Sequence, residues 1–341
     1  MERAALSKRE VQVLQALVKA YVALGDPIGS TTLVRREGLD ASSATIRSAL
    51  ALLEEKGYVQ QPHTSAGRVP TDRAYRFYVE YCLGADHLLA CPGDDDLRTL
   101  IEAKLQEGNV DAILGQLARV VGDISSQLGL VLAPSFELGV LQQIELIRLT
   151  RRRLLLVATI DEGLVRSLEI EVNSRVSRRD IQTVSRLLNE RLSGLTIAEI
   201  RRSARHRLHP IAFGNPQLLR VVTDEIEELS QPTSADLHVA GAANICRQPE
   251  FRDPGRVASL IELVENKSLL AGLMQGRQGV VITIGEENSP LEMRVCSMVT
   301  ASYEVNGMPG VLGVLGPTRM RYDRVMSLVN YAALRAADLV I

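Results

Sequence analysis

The stretch from Ala41 to Pro70, ASSATIRSALALLEEKGYVQQPHTSAGRVP, constrains the fold more than any other part of the chain. Ile46, Ala49, Leu50 and Leu53 recur at helical spacing, which sets them on one face of a short helix. Ser43, Arg47, Ala51 and Glu54 fall on the opposite face. Ser42 or Ser43 can cap the start, its hydroxyl accepting from a backbone N–H that the helix leaves unpaired. Gly57 stands where the chain needs a left-handed residue to leave the helix. Tyr58 and Val59 then favour an extended strand, Pro62 and Gly67 break it, and Arg68-Val69-Pro70 runs back. A helix with Ser, Thr and Arg in its first turns, followed by a hairpin with its own His and Arg, suits a duplex-DNA reader. Its first turn can approach a major groove while the hairpin reaches the backbone beside it.

Upstream, Ser7-Lys8-Arg9-Glu10 has capping-box form, and Leu14, Leu17, Val18, Tyr21 and Leu24 supply an apolar stripe. Gly25-Asp26-Pro27 ends that helix. A second short helix opens at Ile28-Gly29-Ser30 and runs to about Glu37, with Gly38 as its stop. Three helices and a hairpin make a winged helix-turn-helix, assigned to residues 1–90. Arg47 is the candidate base reader, because an arginine in the groove can bond guanine O6 and N7 together. Ser42, Ser43, Thr45 and Ser48 are candidates for phosphate or base edges, less whichever serine forms the cap. His63, Thr64 and Arg68 in the wing suit phosphate or minor-groove contacts, and His63 reads equally as a turn residue bonded to nearby backbone. Thr71 caps a further helix in which Tyr75, Tyr78 or Val79, and Cys82 share a side. Tyrosines so spaced read as core, and the segment as the joint to the next domain, with Arg73 and Arg76 within reach of phosphate.

Cys91-Pro92-Gly93 and Asp94 to Asp96 mark a boundary. A long helix follows from Leu97 to Val121, with Gly108-Asn109 and Gly122 as bends. Strands are expected at Leu141 to Leu149, Leu154 to Ile160 and Leu164 to Val172, the last two joined by an Asp161-Glu162-Gly163 turn. Helices occupy Ser177 to about Ser230, and Gln231-Pro232-Thr233-Ser234 is linker-like. Leu237 to Ala240, Val280 to Ile284, Val295 to Val305 and Val311 to Leu315 read as strands. Arg256 to Glu265 and Val325 to Leu339 read as helices. A lone hairpin at Leu154 to Val172 would be marginal, so the strands on either side of the helical block are assigned to one α+β sheet domain. Its first part is 94–172, an insert covers 173–233, and its second part is 234–341.

Hydrophobic residues make up 46% of the 341, enough for packed cores, and the net charge of −2 argues against a protein coated in basic charge. Cys82, Cys91, Cys246 and Cys296 show no C-x-x-C spacing, which fits a reducing cytosol. The charged start lacks a signal-peptide core, and no uncharged apolar run is long enough to span a bilayer, so a soluble cytoplasmic chain with no membrane partner is expected. Arg201-Arg202-Ser203-Ala204-Arg205-His206-Arg207 is the densest positive run; it reads as a solvated or interface face, since its charges point several ways around a helix. G-x-S-x-G, H-E-x-x-H and P-loop motifs are absent. His206 and His209 lack a third ligand at fixed spacing. No enzyme activity, metal or cofactor is therefore expected.

TIRSALALLEEKGYVQQPHTSAGRVPTDRAYRFYV, together with IGEEN at Ile284 to Asn288, GVLGPTRMRYDRV at Gly313 to Val325 and NERLSGLTIAEI at Asn189 to Ile200, resembles the bacterial heat-inducible repressor family HrcA over essentially the whole length. Ser48 stands where that family more often has Asn, and Ala74 where Gly is usual. The resemblance implies a winged-helix domain and a GAF-like domain with an inserted, mainly helical dimerisation domain. It also implies a homodimer on an inverted-repeat operator in double-stranded DNA upstream of chaperone genes, kept active by the GroEL chaperonin. A dimer is also expected on physical grounds, because one small reader gives too little specificity against a genome and two-fold symmetry matches a palindrome.

Overall fold

The computed structural model describes residues 6–63, 66–82, 99, 110–134, 139–160, 164–172, 176–208, 215–228, 236–305 and 307–339. Its chain divides into two compact units: Met1–Ala133 with Leu237–Tyr303 and Val311–Ile341, and Pro134–Asp236 with Glu304–Gly310.

The first unit begins with α1 (Lys8–Leu24), α2 (Ser30–Glu37) and α3 (Ser43–Glu55). Ser7 and Glu10 form the expected reciprocal cap of α1, and left-handed glycines at 25 and 38 end the first two helices. The apolar stripes of α1 and α3 bury Leu14, Leu17, Ile46 and Leu53 completely. After α3, β1 (Val59–Gln60) pairs antiparallel with β2 (Val69–Pro70), and Arg68 bridges Ile28, fastening the ribbon to the loop before α2. Gly67 is obligatory there, because a Cβ would lie 2.4 Å from the Ile28 carbonyl carbon. Next, α4 (Asp72–Phe77) continues as a single π-helical turn, Tyr78–Cys82.

Beyond residue 110, α5 (Val110–Ser125) continues unbroken past Gly122, where a bend was expected. The anticipated start of that helix, at residues 97–109, lies outside the described residues apart from Thr99. Immediately after it comes β3 (Leu128–Leu132), a strand not anticipated from the sequence. It joins β7 (Leu237–Ala240), β8 (Val280–Ile284), β9 (Cys296–Val305) and β10 (Met308–Pro317) in a five-stranded sheet of order β7-β3-β10-β9-β8. A core of Leu130, Leu132, Leu237, Phe251, Leu270 and Met298 fills one face. The elements between β7 and β8 supply that layer: α9 (Ala242–Cys246), α10 (Pro254–Glu265) and α11 (Lys267–Met274). The last helix, α12 (Tyr322–Leu339), packs with α5.

In the second unit, β4 (Leu141–Arg148), β5 (Arg153–Ile160) and β6 (Leu164–Glu171) form a separate three-stranded sheet in the order β4-β5-β6. This corrects the expectation that these strands extend the C-terminal sheet. Leu154, Leu156, Ala158 and Ile160 alternate inward along β5. They meet the stripes of α6 (Arg178–Leu192), α7 (Ile197–Leu208) and α8 (Pro216–Glu228) in a core of their own. The helical block therefore covers the hairpin that looked marginal alone. Arg166 and Asp236 close this unit with a largely buried ion pair at 2.9 Å.

Candidate nucleic-acid interface

Ser42 and Ser43 divide two tasks at the start of α3. Ser42 is the cap: its Oγ accepts from the Thr45 N–H at 3.1 Å and meets the Thr45 hydroxyl at 2.9 Å. Ser43 Oγ lies 2.9 Å from Ser30 Oγ, so the first residues of α2 and α3 are tied together. Both serines, and in part Thr45, are thus engaged in positioning the helix. Ser48 is exposed, and its hydroxyl donates back to the Ala44 carbonyl at 3.3 Å.

Arg47 stands apart. It is exposed on the face opposite Ile46, Leu50 and Leu53, and among the described residues no hydrogen bond or ion pair holds it. Residues 6–82 contain ten Lys and Arg against eight Asp and Glu, and internal pairing decides which cations remain available. Lys56 binds Glu10 at 2.6 Å, and that bond, with the Ser7 N–H, holds the buried Glu10 carboxyl down at about 2. Arg68 binds Glu54, two turns beyond Arg47 on the outward face of α3, at 2.8 Å. Arg73 donates to the Lys56 carbonyl at 2.8 Å and stacks on Tyr58. Lys8, Lys19, Arg35, Arg36 and Arg47 remain without such a partner among the described residues. Arg35 and Arg36, in the last turn of α2, were missed in the sequence; the adjacent pair ending a helix that precedes the reader was the available signal.

At the wing, His63 is exposed, and the tip is closed by Ala66 N–H to the His63 carbonyl at 2.9 Å and Gln61 to the Ala66 carbonyl at 2.9 Å. Thr64 lies outside the described residues.

The arginines expected near phosphate in α4 are engaged elsewhere. Arg76 donates through Nε to Glu287 at 2.8 Å and through Nη2 to the Ile282 carbonyl at 2.8 Å. Asp72 accepts from the Glu286 N–H at 3.0 Å, and burial raises its carboxyl above the ordinary range. A Cβ at Gly285, whose φ is +52°, would fall 1.8 Å from that carboxylate. Tyr75 is buried against Tyr322, whose hydroxyl lies 2.7 Å from Ser297 Oγ. Arg319 donates to the last turn of α1, at the Val22 carbonyl, at 3.0 Å and binds Glu250 at 2.6 Å. The α4 segment is therefore the joint between the N-terminal helices and the sheet, as its tyrosines suggested.

A family profile described as "HrcA protein C terminal domain" matches residues 111–326. Over 96% of this chain and 95% of its own length, a heat-inducible transcription repressor HrcA of Natranaerobius thermophilus is 36% identical. Its namesake in Chlorobium phaeobacteroides strain BS1 is 39% identical over 97% of each chain. The chain belongs to the HrcA family. In fold, it is similar to a hypothetical protein solved at 2.2 Å, with a TM-score of 0.65, 23% identity, and coverage of 98% of this chain and 99% of that one.

Three segments that carry the HrcA resemblance converge on one place. DRAYRF in α4, IGEEN after β8 and GPTRMRY before α12 supply Asp72, Arg76, Gly285, Glu287, Arg319 and Tyr322 to the joint. The HrcA-like sequence pattern is thus written in part by this junction, alongside the outward face of α3. No cluster of three or more metal-ligating side chains occurs among the described residues, and no helix there is long and apolar enough to cross a membrane.

Proposed function

We propose that the chain is a sequence-specific repressor of heat-shock chaperone operons. Residues 6–82 would act as a winged-helix head, with α3 in the major groove and the β1–β2 ribbon beside the backbone. The observation that carries this reading is Arg47, exposed and without a partner among the described residues, on the helix that the Ser30–Ser43 contact and the Ser42 cap hold in place. Arg47 would read guanine. Thr45 and Ser48 would meet base edges or phosphate, Arg35 and Arg36 phosphates flanking the groove, and His63 and Thr64 the backbone or minor groove. Ser42, Ser43 and Arg68 serve mainly to position these groups.

The five-stranded unit is read as the GAF-like domain, and 134–236 as the inserted dimerisation domain, which is wider than the helical block at 173–233. Ile147 and Val165, 44% and 57% exposed on the outer face of β4-β5-β6, support that sheet as the place where two copies meet. Two heads in fixed register would bind an inverted-repeat operator. The names of the relatives support heat control, and maintenance by GroEL is the form of it we propose. A domain stable by only about 5–15 kcal/mol loses its folded population steeply with temperature, so a chaperonin-dependent repressor would report how busy the chaperonin is.

Footprinting on DNA upstream of a chaperone operon, against a shuffled duplex and with or without GroEL, tests this directly. Protection of a palindrome that GroEL increases is expected. Equal binding to shuffled DNA would remove the repressor reading, and indifference to GroEL would remove the chaperonin part alone.

A further inference from the structure

Arg277 follows α11 and lies over β8 and β9 of the five-stranded sheet. Its guanidinium is half-buried, its pKa is lowered by burial, and among the described residues no carboxylate pairs with it. Charges taken out of water ordinarily meet an opposite charge. Here Nε donates to the Leu273 carbonyl at 2.8 Å, which secures the stem to the end of α11. The two terminal nitrogens make only long contacts, Nη1 to Thr300 Oγ1 at 3.3 Å and Nη2 to Thr283 Oγ1 at 3.5 Å. Both are at the outer limit for hydrogen bonds, so the planar fork keeps capacity for a closer, charged acceptor. Thr300 gives its proton to the Val281 carbonyl at 3.2 Å, which leaves the Thr283 hydroxyl as a further donor. Beside them, Gly276 and Gly279 have φ of +74° and +62° with open space around them.

We propose that Arg277, Thr283 and Thr300 form a binding site for the carboxylate of a small molecule, at the free β8 edge of the sheet. A carboxylate matches the planar fork with two parallel bonds, and Thr283 supplies a third. Position gives the site a consequence. Ile282, the residue before Thr283, offers the carbonyl that holds Arg76 of the joint. An anion that draws Arg277 and Thr283 together therefore acts one peptide away from the contact that seats α4. This goes beyond the repressor reading and needs no DNA for its test.

Thermal denaturation and calorimetric titration of the full chain with acetate, benzoate and inorganic phosphate, at ionic strength held constant with chloride, provide that test. A saturable rise in Tm with a carboxylate is expected, with affinity at least tenfold weaker in Arg277→Gln and several-fold weaker in Thr283→Val. Hydrogen exchange in residues 72–77 is expected to change on saturation. Saturation by phosphate alone overturns the carboxylate assignment, and saturation by neither anion overturns the site. Because Arg277→Gln also loses a helix-end contact, Thr283→Val decides independently: it keeps the arginine, and unchanged affinity in it overturns the geometry.

Discussion

Replacing Arg47 by alanine removes an exposed side chain that no described residue holds, so folding should barely register the change. Surface substitutions of that kind fall within about 0.5 kcal/mol. If the guanidinium reads guanine, its loss removes about 1–3 kcal/mol of discrimination, roughly tenfold to over a hundredfold in operator affinity. Gel-shift titration at fixed salt, beside a calorimetric Tm, separates the two effects; a lowered Tm with unchanged affinity would make Arg47 structural. Glu10 presents the opposite case. Its carboxyl is held at about 2 by Lys56, below the range it has in the unfolded chain. The unfolded state therefore takes up the proton first as pH falls. Stability from this group is complete above the ordinary carboxylate range and disappears as pH drops through it towards about 2. Glu10→Gln should be less stable than the parent at pH 6, with the gap closing towards pH 2 when unfolding is followed by circular dichroism. A gap independent of pH would show that shape, not charge, matters at this position.

At the level of elements, the joint concentrates polar contacts whose partners lie hundreds of residues apart. Arg319 ties the Val22 carbonyl of α1 to Glu250, and its side chain is only 13% exposed. Charge-assisted hydrogen bonds in such surroundings contribute about 1.5–3 kcal/mol, so Arg319→Ala should lower unfolding free energy by about 2 kcal/mol. Faster amide exchange at the end of α1 should accompany the loss, and protection unchanged there would remove Arg319 from the joint. Much of the head was legible in the sequence because its determinants are local: the stripe Ile46, Ala49, Leu50, Leu53, the caps Ser7 and Thr71, and the turn glycines. Which serine caps α3 was not legible, since the answer depends on Ser30, reached only in three dimensions. Arg68, Arg73 and Arg76 were expected near phosphate for the same reason; Glu54, the Lys56 carbonyl and Glu287 claim them through folding. Strand β3 was missed because its five apolar residues, LGLVL, carry no alternation that separates a buried strand from the tail of a helix. The β5–β6 hairpin could be foreseen, but not its pairing with β4 or the separation of the three strands from the other sheet, because strand spacing does not reveal which apolar face will cover them.

For the whole molecule, the proposed repressor would owe its specificity to two heads acting as one. A single small head discriminates by a few base contacts, and linking two converts the second encounter into an intramolecular one, with gains of roughly 10²–10⁴. The proposed meeting face places Ile147 opposite Leu155 and Val165 opposite Thr159, an apolar surface on a sheet whose other side is already filled by helices. Introducing glutamate at both Ile147 and Val165 puts like charges face to face across a two-fold axis, while each side chain is exposed in the single chain. The double variant should keep its far-ultraviolet spectrum and sediment as a monomer at micromolar concentration. Its affinity for a palindromic target should fall roughly a hundredfold, towards that for an isolated half-site. Should it remain dimeric with binding intact, the β4-β5-β6 face is not where copies meet. Should it become monomeric and still prefer the full palindrome, the heads do not need one another, and recognition must come from contacts that a lone head makes.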